Sequence, residues 1–142
     1  MAIYSLGVRT SNTTSAAAAL EIFTRSTADS VRLLEMTLSL VNGTTSIVGV
    51  GFPAAIGLGP TLTYGLQEDP PVPGSTVGVA LSWTTGPTAP ANFYRRATVA
   101  GPVGSSWPFT FPRGLVFTYR QSIVLWNLAT NDTFDVHLVW DA

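Results

Sequence analysis

The sequence contains no cysteine and no lysine, and only 11% of its 142 residues are charged. Without cysteine there can be no disulfide, no thiolate nucleophile and no thiolate metal site. Stability must therefore come from the core and from any contacts between subunits. A monomer with so few charges would expose much neutral or apolar surface, which indicates that part of it is covered by a partner or by copies of the same chain.

Basic clusters and long apolar runs are missing as well. The formal net charge is −1, and the seven arginines are scattered with only Arg95 and Arg96 adjacent, whereas a phosphate backbone needs a basic patch. No apolar run approaches the length of a membrane span, and the N-terminal segment has no signal-peptide pattern. We expect neither nucleic acid nor a membrane as a partner.

Motifs for catalysis and for cofactors are also lacking. The single histidine, His137, shares a face of a predicted strand with Asp135, but no nucleophile elbow accompanies the pair, and we expect an exposed strand position. One histidine with scattered carboxylates makes no convincing metal site. The glycine pairs in 49–51 and 57–59 lack the further residues of a phosphate-binding loop. We predict a protein that is not an enzyme and that holds no cofactor or metal.

The strongest positive signal is an apolar period of two, which is typical of half-buried strands. It appears in three segments, 34–40, 77–83 and 134–140, where every second residue is apolar. Residues Asn42 and Gly43 follow the first segment, and their tolerance of positive φ predicts a type I′ hairpin turn with 47–52 pairing beside 34–40.

Five further segments are bounded by Gly, Pro, Asn, Asp or Ser and are predicted as strands: 3–9, 17–25, 93–99, 109–118 and 122–128. Segment 15–25 is ambiguous, because its alanines favour a helix while Ile22, Phe23 and Thr24 favour a strand. We favour the strand.

Segment 57–73 carries the adjacent acidic pair Glu68 and Asp69, and its many Gly and Pro residues predict a long irregular loop. The loop is either an arm that extends to a neighbouring subunit or a connection that crosses between two sheets.

This rhythm of short strands predicts an all-β fold, a single-domain antiparallel β-sandwich over residues 1–142. With about eight to ten strands it would be jelly-roll-like. No helical βαβ alternation and no internal repeat competes with this interpretation.

Tryptophan positions separate core from candidate contacts. Trp83 and Trp140 lie in phase with apolar rows and are predicted to be core. The segment Ile123, Leu125 and Trp126 is apolar on both faces, so it is either central in the fold or covered by a neighbouring subunit. Trp107 stands among Ser and Pro in a loop-like setting, which makes it either an exposed aromatic anchor or a locally packed side chain.

Several strings of the sequence resemble those of small β-sandwich virion proteins of tailed bacteriophages, a group that includes capsid decoration (cement) proteins. The strings are MAIYSLGVRT, SAAAALEI, GVGFPAAIGLGP, APANFYRR, FPRGLVF, IVLWNL and FDVHLVWD. They are strand and turn phrases spread over nearly the whole chain. The resemblance implies a homotrimer on the capsid surface of the virion, clamped onto the major capsid protein and reinforcing the shell.

Under that resemblance, Ile123, Leu125, Trp126 and the loop with Glu68 and Asp69 are candidate contacts with subunits or shell, with Trp107 as an anchor. Arg95, Arg96 and Arg113 are candidates for bidentate pairs with interfacial carboxylates. The alternative is a tail, baseplate or fibre component whose jelly roll binds host carbohydrate. A small carbohydrate-active enzyme, with two carboxylates brought together from distant positions, is the alternative from another class.

Overall fold

The computed structural model of the protein describes residues 2–11, 16–28, 30–68, 76–129 and 132–142. These residues form eleven strands and no helix, which confirms the all-β prediction. The strands are β1 Ile3–Arg9, β2 Ala17–Thr24, β3 Ser30–Leu40, β4 Ser46–Gly51, β5 Thr61–Tyr64, β6 Leu66–Gln67, β7 Val77–Ser82, β8 Arg95–Val99, β9 Ser106–Thr118, β10 Ser122–Ala129 and β11 Phe134–Asp141. All but β5 and β6 overlap a predicted strand.

Two antiparallel sheets pack against each other as a sandwich. The five-stranded sheet has the order β6-β1-β11-β3-β9, and the six-stranded sheet has the order β5-β7-β2-β10-β4-β8. Without β5, β6 and β7, the two sheets have the orders β1-β11-β3-β9 and β2-β10-β4-β8. This is the strand order of a jelly roll. Strands β5 to β7 are an insertion that widens both sheets beside β1 and β2.

The core lies between the sheets and is built from alternate residues of nearly every strand. Its largest fully buried side chains include Leu20, Ile22 and Leu125 from the six-stranded sheet and Met36, Leu138 and Trp140 from the five-stranded sheet. The predicted row Phe134, Val136, Leu138 and Trp140 is buried throughout. In the described ranges no helix is long and apolar enough to cross a membrane.

A β-bulge interrupts the apolar row predicted for 34–40. Leu33 pairs with Leu115 and Glu35 pairs with Thr110, so Leu34 stands out of register while Phe111 to Gly114 loop out of β9. Before the bulge Val31 and Leu33 face the core, and after it Met36, Leu38 and Leu40 do. The prediction that Leu34 begins this row is therefore wrong, because a bulge exchanges the two faces of a strand.

The hairpin predicted at Asn42 and Gly43 is also wrong. Strand β3 belongs to the five-stranded sheet, whereas β4 belongs to the six-stranded sheet and pairs with β10 and β8. Only Gly43 has a positive φ, of 73°, while a type I′ turn needs two such residues. Where the connection crosses between sheets, the buried Asp132 accepts hydrogen bonds from the backbone N–H groups of Asn42 and Thr44, both at 3.1 Å.

The long loop predicted for 57–73 contains two edge strands. Strand β5 pairs with β7 in one sheet and β6 pairs with β1 in the other, and Gly65 is the switch between them. A Cβ at Gly65 would lie 2.1 Å from Cζ2 of Trp140, so only glycine lets the chain pass this close to the core indole. The residues 69–73 of the predicted loop lie outside the described residues.

Candidate interaction surfaces

Segments 52–60 and 83–94 cover the outer face of the six-stranded sheet. They are joined to each other by isolated β-bridges, Ala55 to Thr88 and Leu58 to Thr85. Glycine allows the cover to pack closely on the sheet, since a Cβ at Gly49 would lie 2.6 Å from the ring of Phe93. The outer face of the six-stranded sheet is thus covered by segments of the same chain.

A buried carboxylate holds this cover in place. Glu21 is 0% exposed and accepts hydrogen bonds from the backbone N–H of Gly57 at 3.2 Å, from Nε1 of Trp83 at 2.9 Å and from the Ser122 hydroxyl. Burial raises the pKa of Glu21, and the three hydrogen bonds oppose that shift only partly. No local sequence pattern marks Glu21 as special, because its donors come from three distant segments.

The structure buries Ile123, Leu125 and Trp126, which the sequence analysis treats as candidate contact residues. Their exposed fractions are 0%, 0% and 6%, with β10 lying between β2 and β4 in the six-stranded sheet. Ile123 and Leu125 belong to the core cluster, and Trp126 pairs with Gly49 beneath the cover. The strand is apolar on both faces because it is central in the fold, and these three residues are not accessible to a partner.

Trp83, predicted to be core, follows the end of β7 and is half-buried.

The outer face of the five-stranded sheet is open and polar. Arg9 donates two hydrogen bonds to the carboxylate of Asp135, at 2.7 and 2.9 Å, and Nε2 of His137 lies 3.2 Å from Oε2 of Glu35. A groove of about 430 Å³ runs across these strands. Its polar lining consists of Arg9, Thr37, Ser39, Ser106, Asp135 and His137.

The Arg9–Asp135 pair sets the electrostatics of this groove. Its hydrogen bonds lower the pKa of Asp135 and raise the pKa of Arg9. Both side chains are largely exposed, so the pair contributes little to stability and keeps both charges on the surface. The groove thus brings together hydroxyl, imidazole, carboxylate and guanidinium groups, all of which can form hydrogen bonds.

An arginine groove lies where β8 and β9 meet, along one lateral edge of the sandwich. It has a volume of about 360 Å³ and is lined by Arg95, Phe111, Pro112, Arg113, Gly114 and Leu115. The looped-out residues of β9 form most of it. Arg32 supports the loop from below by donating a hydrogen bond to the carbonyl oxygen of Arg113. The fold thereby brings together two predicted anchors, Arg95 and Arg113.

The guanidinium of Arg95 is held in position by its own surroundings. Its Cζ lies 5.2 Å from the centre of the Phe111 ring, and its Nη1 donates to the carbonyl oxygen of Tyr94 at 2.9 Å. In the described part of the chain, neither Arg95 nor Arg113 forms an ion pair with a carboxylate. The groove therefore presents two guanidinium groups that have no carboxylate partner among the described residues.

The other predicted anchors lie on different surfaces. Arg96 neighbours Arg95 on β8, but strand alternation points it to the opposite face, where its Cζ lies 5.8 Å from the Phe93 ring centre. Trp107 is 43% exposed, as expected of an anchor, but it belongs to the edge strand β9 and not to a loop.

Glu68, the first residue of the predicted acidic pair, lies at the lateral edge formed by β5 and β6. The backbone N–H of Glu68 donates to the carbonyl oxygen of Ile3 at 2.9 Å, which holds Glu68 at the end of β6. Asp69 follows it in the sequence and lies outside the described residues. Two large apolar side chains of this edge are exposed, Tyr64 at 43% and Leu66 at 57%.

Metal ligands do not gather in the ranges that the structure covers, where no three His, Asp or Glu side chains are close enough to hold an ion. The buried carboxylates of Glu21 and Asp132 both accept hydrogen bonds from surrounding donors, which is a structural role. What the described surfaces offer is exposed apolar, guanidinium and carboxylate groups on rigid strands, and these groups are suited to binding.

Comparisons of the chain with protein-family models, with curated proteins and with solved structures find no match.

Proposed function

We propose that the protein is a structural component of a tailed-bacteriophage virion, a capsid decoration protein that binds the major capsid protein as a homotrimer and stabilises the shell. The virion assignment rests on the resemblance of the sequence strings. The observation that carries the binding role is the pair of lateral edges, where Leu66, Tyr64, Trp107 and Val116 are all more than 40% exposed on strands. Exposed aromatic and aliphatic side chains beside arginine are typical of protein interfaces.

The sandwich suits a reinforcing role for mechanical reasons. Its core is built from both sheets, and hydrogen bonds from Gly57 and Trp83 to Glu21 tie the covering segments to the six-stranded sheet. A rigid domain loses little conformational entropy when it binds. A trimer on a symmetric shell adds avidity, because each copy that binds raises the effective concentration of the others.

The experiment is to purify particles that contain the chain and to determine its place in their density. A decoration protein occupies repeated positions over the whole head, and shells lacking it open at lower temperature than shells to which the purified protein has been added back. Density for the chain at the tail alone, or equal opening temperatures with and without it, would show that the proposal is wrong.

A second candidate is a tail, baseplate or fibre component that binds host carbohydrate. The polar groove with Arg9, Asp135 and His137 favours it, because sugar hydroxyls pair with carboxylate, guanidinium and imidazole groups. Binding of the purified protein to host surface polysaccharide, abolished by Asp135→Ala and unchanged by Trp107→Ala, is the result expected for this candidate.

A further inference from the structure

The two lateral edges of the sandwich carry opposite charges. The edge of β8 and β9 holds the arginine groove with Arg95 and Arg113. The edge of β5 and β6 ends at Glu68, and Asp69 follows it in the sequence. Because β9 and β6 are the outermost strands of the same five-stranded sheet, Arg113 and Glu68 lie at opposite ends of that sheet. Arg95 lies on β8, the outermost strand of the six-stranded sheet at the end opposite β5.

Each edge also offers apolar surface next to its charges. On the acidic edge Leu66 is 57% exposed, two residues before Glu68. On the arginine edge Val116 is 41% exposed, three residues after Arg113. Apolar contact beside a charge pair excludes water, and this strengthens the pairing of guanidinium with carboxylate.

We infer that the arginine edge of one copy binds the Glu68 edge of the next copy, head to tail, so that identical contacts close into a ring. This inference rests on the proposed function only for the homotrimer, to which it assigns the subunit contact. A head-to-tail contact uses two different surfaces of each subunit, and a closed ring leaves neither surface exposed.

The second copy is favoured over an acidic segment of the shell because both halves of the contact are present in this one chain. Arg95 is fixed by Phe111 and Tyr94, so it loses little side-chain freedom when it pairs. Glu68 is fixed through its backbone by Ile3. The chain has few other charges with which to make an alternative complementary pair, since only 11% of its residues are charged.

The test is a charge swap read by sedimentation velocity over a range of protein concentrations. Arg113→Glu and Glu68→Arg each place like charges across the contact, and we expect each to weaken association by about tenfold or more. The double variant with both changes restores an opposite pair and is expected to recover the oligomer. Arg113 is exposed, and Arg32 donates a hydrogen bond to its carbonyl oxygen, which the substitution keeps, so we expect the variant to fold, which thermal denaturation checks.

The control is Arg25→Glu, the same charge change at an exposed arginine on the segment after β2. It should leave the sedimentation coefficient unchanged. A wild-type protein that stays monomeric, an oligomer unaffected by both single variants, or a double variant that stays dissociated would each overturn the inference.

Failure of the inference is distinguishable from failure of the proposed function. Wild-type protein that binds shells as a monomer contradicts the ring and supports decoration. A ring that responds to the charge swap but binds no shell supports the inference and contradicts decoration.

Discussion

Trp83 donates a hydrogen bond from Nε1 to Oε1 of Glu21 at 2.9 Å, which ties a segment covering the six-stranded sheet to a carboxylate buried within that sheet. The same carboxylate accepts hydrogen bonds from Gly57 on the other covering segment and from Ser122 on β10. One side chain therefore joins four parts of the chain. Its charge state and its donors should control how firmly the cover is held.

Replacing Trp83 with phenylalanine should destabilise the fold. Trp83→Phe keeps an aromatic ring but removes the donor to Glu21, and an unpaired buried polar group costs about 1–3 kcal/mol in the free energy of unfolding. Urea denaturation measures the loss. The matched control is Trp107→Phe, because Trp107 is 43% exposed, and it should change stability by less than about 0.5 kcal/mol. Equal losses in the two variants would contradict the role given to the Trp83 indole.

Glu21 should make stability depend on pH. Because its pKa is raised in the folded protein, the folded state holds the proton more tightly than the unfolded state. The contribution is therefore fully present below the ordinary pKa of glutamate and is lost as pH rises through the raised value. Urea denaturation at a series of pH values should show this decrease in the wild type, and Glu21→Gln should remove it.

Asp135 acts in the opposite direction and in a different pH range. Arg9 lowers its pKa, so its contribution is present above the ordinary pKa of aspartate and is lost as pH falls through the lowered value. Asp135→Asn should leave the decrease caused by Glu21 in place. If Asp135→Asn and not Glu21→Gln abolished that decrease, the assignment to Glu21 would be wrong.

Asp132 should be required for the crossing between the sheets. Asp132→Ala removes the acceptor for the partly buried backbone N–H groups of Asn42, Thr44 and Thr133, and the loss of each hydrogen bond costs about 0.5–1.5 kcal/mol. Asp132→Asn keeps one acceptor oxygen and should lose less. Thermal unfolding ranks the variants, and a loss as large for Asn as for Ala would argue against backbone capping by the carboxylate.

Gly65 should not tolerate a side chain. In Gly65→Ala the new Cβ would lie 2.1 Å from Cζ2 of Trp140, and overpacking of this kind costs about 1–3 kcal/mol. The matched control is Gly7→Ala in β1, where a Cβ meets nothing within 4 Å and alanine should be neutral or slightly stabilising. Chemical denaturation of both variants checks the contrast, which would vanish if the Trp140 ring could move aside.

Strand positions could be predicted because they depend on nearest neighbours along the chain. The row Phe134, Val136, Leu138 and Trp140 alternates with polar residues, and β11 buries that row. Strand β1 has the bounds 3–9 that the sequence analysis predicts for it. Successive residues of a strand point to opposite faces, so the alternation of apolar and polar residues shows which face is apolar.

The pairing of the strands and the covering of the six-stranded sheet could not be predicted, because both depend on residues far apart in the sequence. Asn42 and Gly43 suit a hairpin locally, but Asp132 holds them in a crossing between sheets. Residues Ile123 to Trp126 look equally apolar whether a neighbour or the chain's own cover lies over them. The candidate anchors show the same division, since Arg95 and Arg113 are candidates by residue type but meet in one groove only through the bulge of β9.

Local residue patterns were thus sufficient for the all-β class and for the positions of most strands, though not for β5 and β6. The partners of each strand, the burial of Ile123, Leu125 and Trp126, and the separation of arginine and acidic edges came from the tertiary fold. The physical reason is that alternation acts over two residues, whereas the acceptors Glu21 and Asp132 bind groups tens of residues away in the sequence. Such contacts gain free energy only after the sheets have closed on each other.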